Sequence, residues 1–308
     1  MSSPQSASKG DFGRRPYSID WPTIGLAAII YSAFLVTTWF HAALPWWLLL
    51  PLGACIVGIH GSLQHEAVHG YPTRWPLANL LIAGWALWLW LPYGTYRRLH
   101  LQHHIDEQLT DPLRDPESNY VTAAQWAQMG RFHRMIRRAM GTLAGRFLIG
   151  PLYFAVMNYL ELGEALVRGD RRLLQPWLWH VVAVAAILYW VLAVCGMPFW
   201  QYVLFFAYPG TAMALVRSYA EHRWAQNHNH RSAIIESGPF WSLLFLHNNL
   251  HVLHHLEPGL VWWRRPARYR EIREDLLAAN GGYLIKGYGA LARRYLLTPK
   301  EPLLHPYP

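Results

Sequence analysis

Two stretches of the chain lack any alternation of charged and apolar positions. Trp21 to His65 runs for 45 residues without Asp, Glu, Lys or Arg, and Leu173 to Val216 runs for another 44. Each is about twice a bilayer span, and lipid accepts a helix that is apolar all round whereas a soluble fold must bury it on every side. The pattern therefore predicts two hairpins of membrane helices. In the first, helices over residues 22–41 and 45–63 flank an Ala-Ala-Leu-Pro turn, with Pro45 suited to a helix start. The second turns near Cys195 to Phe199. A third uncharged run, Trp75 to Tyr96, is long enough to cross once, but Pro76, Pro92 and Gly94 punctuate it. Pro151 to Leu160 is apolar yet too short to span, which fits an interfacial or re-entrant piece. From Arg217 onward the chain is polar, basic and aromatic, with a helix predicted over Arg268 to Ala279 and a Gly-Gly break after it.

Composition agrees: 53% of residues are hydrophobic and 15% charged, against about 25% charged in soluble domains. The net charge of +9 has a membrane explanation. Basic residues gather at Arg14 and Arg15, from Arg131 to Arg146, from Arg168 to Arg172 and beyond Arg264, while the hairpin tips carry none. That is the positive-inside asymmetry, so the inner membrane is expected and nucleic acid is not. Arg131 to Arg138 reads as a cytoplasmic amphipathic helix. Cys55 and Cys195, the two cysteines, exclude a disulfide framework or a thiolate metal site. The first twenty residues lack an apolar core or cleavage site, so residues 21–41 are expected to act as an uncleaved anchor. The expected organisation is a flexible leader over 1–20, a membrane domain over 21–275 and a cytoplasmic tail over 276–308.

Chemistry concentrates in the histidines, 17 in all. Eight fall in three windows: His65-Glu-Ala-Val-His69, His100-Leu-Gln-His103-His104 and His251-Val-Leu-His254-His255. On helices, spacings of three and four put imidazoles on one face. Clustered imidazoles repel when protonated, and a shared cation is the simplest reason to gather them. Eight nitrogen ligands exceed what one metal takes, so two metals are implied, and imidazole suits iron, copper, nickel or zinc. The windows can meet only if Trp75 to Tyr96 dips into the bilayer and returns; a crossing would separate His69 from His100 by about 30 Å. The fold class expected is an all-α integral membrane protein. It has four transmembrane helices in two hairpins, a re-entrant segment and a cytoplasmic helical cap holding the histidines.

The HxxxH, HxxHH and HxxHH boxes, in this order and separated by apolar segments, resemble the membrane fatty acid desaturase and hydroxylase superfamily over roughly residues 20 to 275. The resemblance implies a non-haem site of two iron ions that activates O2. It adds one histidine after the last membrane helix, and His222 stands there. The implied ligands are His65, His69, His100, His103, His104, His222, His251, His254 and His255. His247-Asn-Asn-Leu-His251 further looks like the bacterial acyl-lipid and carotenoid-modifying branches, with Asn248 and Asn249 as supporting donors. Glu66, Asp111 and Glu221 are expected to orient ligands. No His-Pro-Gly-Gly haem signature of a fused cytochrome is present, so electrons are expected from a separate donor, a ferredoxin or similar reductase system. The function implied is oxidation of an unactivated C–H bond of a lipid or fatty acyl substrate, foremost desaturation. Hydroxylation, carotenoid ketolation or hydroxylation, and alkene-forming fatty acid decarboxylation are the alternatives.

Several residues also carry plainer readings. His65-Glu66-Ala-Val-His69 is an HExxH motif, which in an intramembrane zinc metallopeptidase would make Glu66 the general base, but that leaves both HxxHH boxes unexplained. Asp111-Pro and Asp115-Pro are ordinary turn signals, and of the acids after the second box, Asp106, Asp111 and Asp115, we expect Asp111 to be the functional one. Trp85, Trp88 and Trp90 read as an interfacial belt rather than a channel lining. Trp262-Trp263-Arg264-Arg265 reads as a surface anchor, and His180 as a headgroup contact. His228 and His230 belong to a solvated loop. His41, His60, His133 and His305 have no partner at ligand spacing, and His247 is at most a supporting residue.

Overall fold

The computed structural model describes residues 19–306. The expected leader, with Arg14 and Arg15, lies outside them apart from its last two residues. Helices α1 (Trp21–Trp39) and α2 (Trp46–Val68) form the first hairpin. Then come α3 (Pro76–Ala83), α4 (Tyr93–His103), α5 (Ala123–Gln128), α6 (Arg131–Met140), α7 (Leu143–Leu148) and α8 (Gly150–Arg168). The second hairpin is α9 (Arg171–Val194) and α10 (Phe199–Glu221), each with an internal π-helical turn. Short helices α11 (Pro239–Leu244) and α12 (His251–Leu256) precede α13 (Arg265–Ala279) and α14 (Gly287–Tyr295). Two-residue strands β1 (Ile234–Ile235) and β2 (Leu284–Ile285) pair in parallel, Ile234 opposite Leu284. Helices α1, α2, α9 and α10 are long and apolar enough to cross a membrane.

Three element boundaries move outward from the sequence-based expectation, in α2 and α13 because polar residues read as helix ends are buried and partnered. Helix α2 continues to Val68 because Gln64 donates to the Ala83 carbonyl at 2.8 Å and Glu66 is paired inside the protein. Helix α13 begins at Arg265, three residues early, because Arg265 is itself buried. Helix α8 extends the apolar Pro151 to Leu160 run to Arg168, where Gly169 at φ +63° ends it in the left-handed region that glycine adopts without penalty. Leu152, Val156, Leu160 and Val167 lie exposed along α8, as lipid-facing residues would.

The run from Trp75 to Tyr96 is not one helix. After the eight residues of α3 the chain is irregular until α4 starts at Tyr93. Buried non-helical backbone needs partners for its polar groups, and here side chains from several helices supply them. Gln64 also donates to the Trp85 carbonyl at 3.2 Å, Trp179 to Gly84 at 3.0 Å, Tyr202 to Leu87 at 2.6 Å and His180 to Leu89 at 2.9 Å, while Asn158 bonds Trp90. This corrects the headgroup role expected of His180, which is buried and holds this segment.

The core between α2 and α10 joins Val57, Leu87, Tyr202 and Phe206, with Phe34 of α1. Small residues let these helices approach: a methyl on Gly210 would overlap Val57, and one on Gly53 would meet the Phe206 ring at 2.8 Å. Helix α14 packs Tyr288 and Leu291 against Val216 and Tyr219 of α10. Gly163 of α8 has open space around it. Gly210→Ala should therefore lower stability by about 1–3 kcal/mol through overpacking, read as a lower thermal midpoint in detergent. Gly163→Ala should lose none; equal tolerance at both sites would contradict a tight α2–α10 contact.

Candidate metal centre

Four helix ends deliver the histidines. His65 sits in the last turn of α2 and His69 caps it; His100 and His103 end α4 and His104 caps it; His251, His254 and His255 fill α12; His222 caps α10. The sequence-predicted ligands all meet, in two sets. In one, the Nε2 atoms of His103 and His251 each lie 2.9 Å from that of His222, and His255 lies 3.1 Å from His251. In the other, His100 lies 3.2 Å from His69 and 3.1 Å from His104, and His104 lies 2.9 Å from His254. The His65 ring stands 4.5 Å from His254. One potential ligand atom from each of His65, His69, His100 and His254 falls within 4.8 Å of the others, and the same holds for His103, His222, His251 and His255. His104 bridges the sets, its ring 4.4 Å from that of His255.

Such packing needs positive charge at its centre. A neutral imidazole has one N–H and one lone pair, so a converging group cannot satisfy every nitrogen by bonding within itself. His65 Nε2, in particular, is buried without a hydrogen-bond partner. The donor set is all nitrogen with borderline softness, which fits two imidazole-ligated transition-metal ions.

The outer faces of the rings are controlled by carboxylates. His100 Nδ1–H donates to Glu117 at 2.8 Å and His103 Nδ1–H to Asp115 at 2.9 Å, while Glu221 stands 3.2 Å from His251 Nδ1. A carboxylate on Nδ1 selects the tautomer whose Nε2 lone pair faces inward and makes it more basic. Burial first, and then the repulsion that charged neighbouring histidines would exert, lowers His69, His104, His222, His251 and His254 below the usual imidazole range, the direction that favours neutral rings able to ligate. His103 differs: burial opposes its charge, but Glu117, Asp115 and Glu221 outweigh it and push it up to about 9. Excess negative charge there favours a cation.

Some supporting residues differ from expectation. Asp111 accepts from the Leu113 and Arg114 amides at 2.8 and 3.2 Å, making a turn, and touches no imidazole. Its expected role falls to Asp115 and to Glu117, which sequence reasoning missed. The signal was present in Asp115-Pro-Glu117, where Asp115 also accepts from the Thr110 and Glu117 amides; a turn residue can do both. Asn248 donates to Glu221 at 2.9 Å, but Asn249 donates to the Ile235 carbonyl. Glu66 lies 3.7 Å from His65 Nδ1, too far for a hydrogen bond. Instead it pairs with buried Arg265 at 2.7 Å and accepts from the Trp262 amide at 3.1 Å. Trp262 and Trp263 donate through their indoles to Thr23 and Asp20, each at 3.0 Å. The surface-anchor reading of Trp262 to Arg265 is thus corrected: the segment supplies the counter-charge that buried Glu66 requires. His41, His60, His133, His180, His228, His230, His247 and His305 stay outside both metal-ligand groups.

A cavity of about 500 Å³ adjoins this centre, lined by Trp88, Trp90, Tyr96, Phe154, Met157 and Leu215 among others, a size typical of small-molecule sites. Glu117, the partner of His100, is part of its wall. This corrects the interfacial-belt reading for Trp88 and Trp90; Trp85 bonds the Leu81 carbonyl and packs on Trp179.

Residues 19–287 match the fatty acid desaturase family. The chain is 27% identical over 268 residues to a beta-carotene ketolase of a Paracoccus strain, covering 79% of this chain and 90% of that protein. A beta-carotene ketolase of another Paracoccus strain is 24% identical over 219 residues, covering 67% and 71%.

Because Asp115 orients His103 and Asp111 does not, Asp115→Asn should weaken metal retention about 10–100-fold, measured by elemental analysis after graded chelation. Asp111→Asn should match the wild type. The reverse order would remove Asp115 from its supporting role.

Proposed function

Because the chain belongs to the fatty acid desaturase family, and so is a di-iron oxidoreductase of that superfamily, we propose that it is an integral membrane enzyme using O2 to oxidise an unactivated C–H bond of a lipid acyl chain. Desaturation is the outcome we favour. The observation that carries this reading is the apolar cavity, whose wall includes the carboxylate that orients His100. The nine histidines would hold two irons, which supply reductive O2 activation when bound. Glu117 and Asp115 keep the lone pairs of His100 and His103 turned inward. Aromatic and aliphatic walls seat the chain and exclude bulk water.

Four spanning helices with Trp75 to Tyr96 re-entrant would put every histidine window on the arginine-rich side, facing the cytoplasm across the inner membrane. A ferredoxin-type donor would deliver electrons there. Carotenoid ketolation is the second reading, favoured by the similarity to two beta-carotene ketolases. The HExxH metallopeptidase reading loses its base, since Glu66 is sealed in an ion pair with Arg265.

Purified protein should contain about two irons per chain, the number two imidazole sets imply, and cells expressing it should accumulate unsaturated acyl chains. His222→Ala should lose iron and product, whereas His228→Ala should keep both. One zinc per chain, or oxygenated carotenoid with unaltered acyl chains, would overturn the acyl-lipid reading. Single cysteines at Tyr71 and Leu101 should label from the same membrane side; opposite sides would sink the re-entrant topology.

A further inference from the structure

Arg137 of α6 and Arg146 of α7 are buried, 7% and 3% exposed, and both line the 500 Å³ cavity as well as a smaller neighbouring one of about 60 Å³. Among the described residues neither forms an ion pair. Arg137 donates to the Asn119 carbonyl at 2.7 Å and Arg146 to that of Met140 at 3.3 Å. Beyond these they face aromatic rings, Arg137 over Tyr153 and Arg146 over Phe154 and Tyr219. Arg137 Nε is buried with no acceptor. Burial, and next the Arg137 charge, push Arg146 down to about 10, so the two guanidiniums sense each other.

The carboxylates of the same walls are committed elsewhere: Glu117 to His100, Asp115 to His103, Glu221 to Arg217, Glu161 to Arg98, and Glu301 to the Trp224 amide. Two buried, uncompensated charges are expensive in a folded protein. The guanidinium fork matches a carboxylate or phosphate. Elsewhere the cavity wall includes Trp88, Trp90, Leu91, Phe154, Met157 and Leu215, suited to an apolar chain, alongside polar residues such as Asn158 and Ser218. Phe132 and Met135 are exposed on α6, whose other face carries buried Arg137.

The geometry points to Arg137 and Arg146 as a buried receptor for the anionic headgroup, carboxylate or phosphate, of the lipid whose chain occupies the large cavity. This inference rests on the lipid-oxidation reading and narrows its substrate to an anionic amphiphile, since a neutral hydrocarbon such as a carotenoid would leave both charges uncompensated.

The test measures retention of radiolabelled hexadecanoate, methyl hexadecanoate and hexadecyl phosphate by full-length, iron-loaded protein in detergent. Hexadecanoate or hexadecyl phosphate should bind about tenfold or more tightly than the ester, as expected for a lost charge-assisted hydrogen bond, and the tighter of the two identifies the headgroup. Arg137→Gln and Arg146→Gln should abolish that preference with iron content unchanged, and Arg146→Lys should keep part of it. Equal binding of acid and ester by the wild type would overturn the proposal, a comparison that stands even if a variant fails to fold. Inorganic phosphate competing as strongly as hexadecyl phosphate would also overturn it, by assigning a free anion. Failure of the functional reading has a different signature: headgroup preference with no iron and no oxidised product.

Discussion

Imidazole nitrogens packed within 4.8 Å of one another, in two sets of four with His104 between them, are stable in a dry interior only around positive charge. Much else in the chain follows from that constraint. Each helix bearing a ligand must end at the same level, so α2, α4, α10 and α12 all terminate at the cluster. Rings that point a lone pair inward need a partner on the other nitrogen, and Glu117, Asp115 and Glu221 supply negative charge there. Carboxylates buried for this purpose then need cations or amides of their own, which brings Arg217 and Asn248 to Glu221.

The same logic explains the irregular stretch before α4. To bring His100 beside His69, the chain leaves helical structure between α3 and α4, and that exposes carbonyls that a helix would have satisfied internally. Leaving several of them unpaired in hydrocarbon costs a few kcal/mol each. Gln64, Trp179, Tyr202, His180 and Asn158, drawn from α2, α9, α10 and α8, bond five of these groups, at Trp85, Gly84, Leu87, Leu89 and Trp90. The turn is therefore held by helices on every side, and Trp88 and Trp90, which lie in it, form a rigid wall of the cavity rather than a lipid-facing belt.

Metal chemistry and substrate selection occupy different residues. Membership of the desaturase family accounts for the two histidine clusters as a class, and identities of 24% and 27% to beta-carotene ketolases leave the substrate open. The side chains that would meet a substrate are in the cavity wall, contributed by α2, α4, α6, α7, α8, α10 and the segments flanking α4. Arg137 and Arg146 belong to that wall, on segments that read along the chain as nothing more than a basic amphipathic helix and its continuation.

The sequence by itself determined that the chain is mostly helical with long apolar helices, and that its histidines fall in three boxes. Forty-odd uncharged residues, twice, can only be dissolved in lipid or buried whole, and boxes with spacings of three and four place their imidazoles on one helical face whatever surrounds them. These are local properties. Tertiary structure decided which acid orients which ring, because Asp111 and Asp115 carry the same Asp-Pro signal and differ only in where the turn delivers them. It also decided that Arg265 neutralises Glu66, 199 positions away in the chain, and that His180 holds the Leu89 carbonyl rather than a headgroup. A charged or hydrogen-bonding side chain inside an apolar context states only that it needs a partner; the identity of that partner is set by long-range packing, which no local pattern encodes.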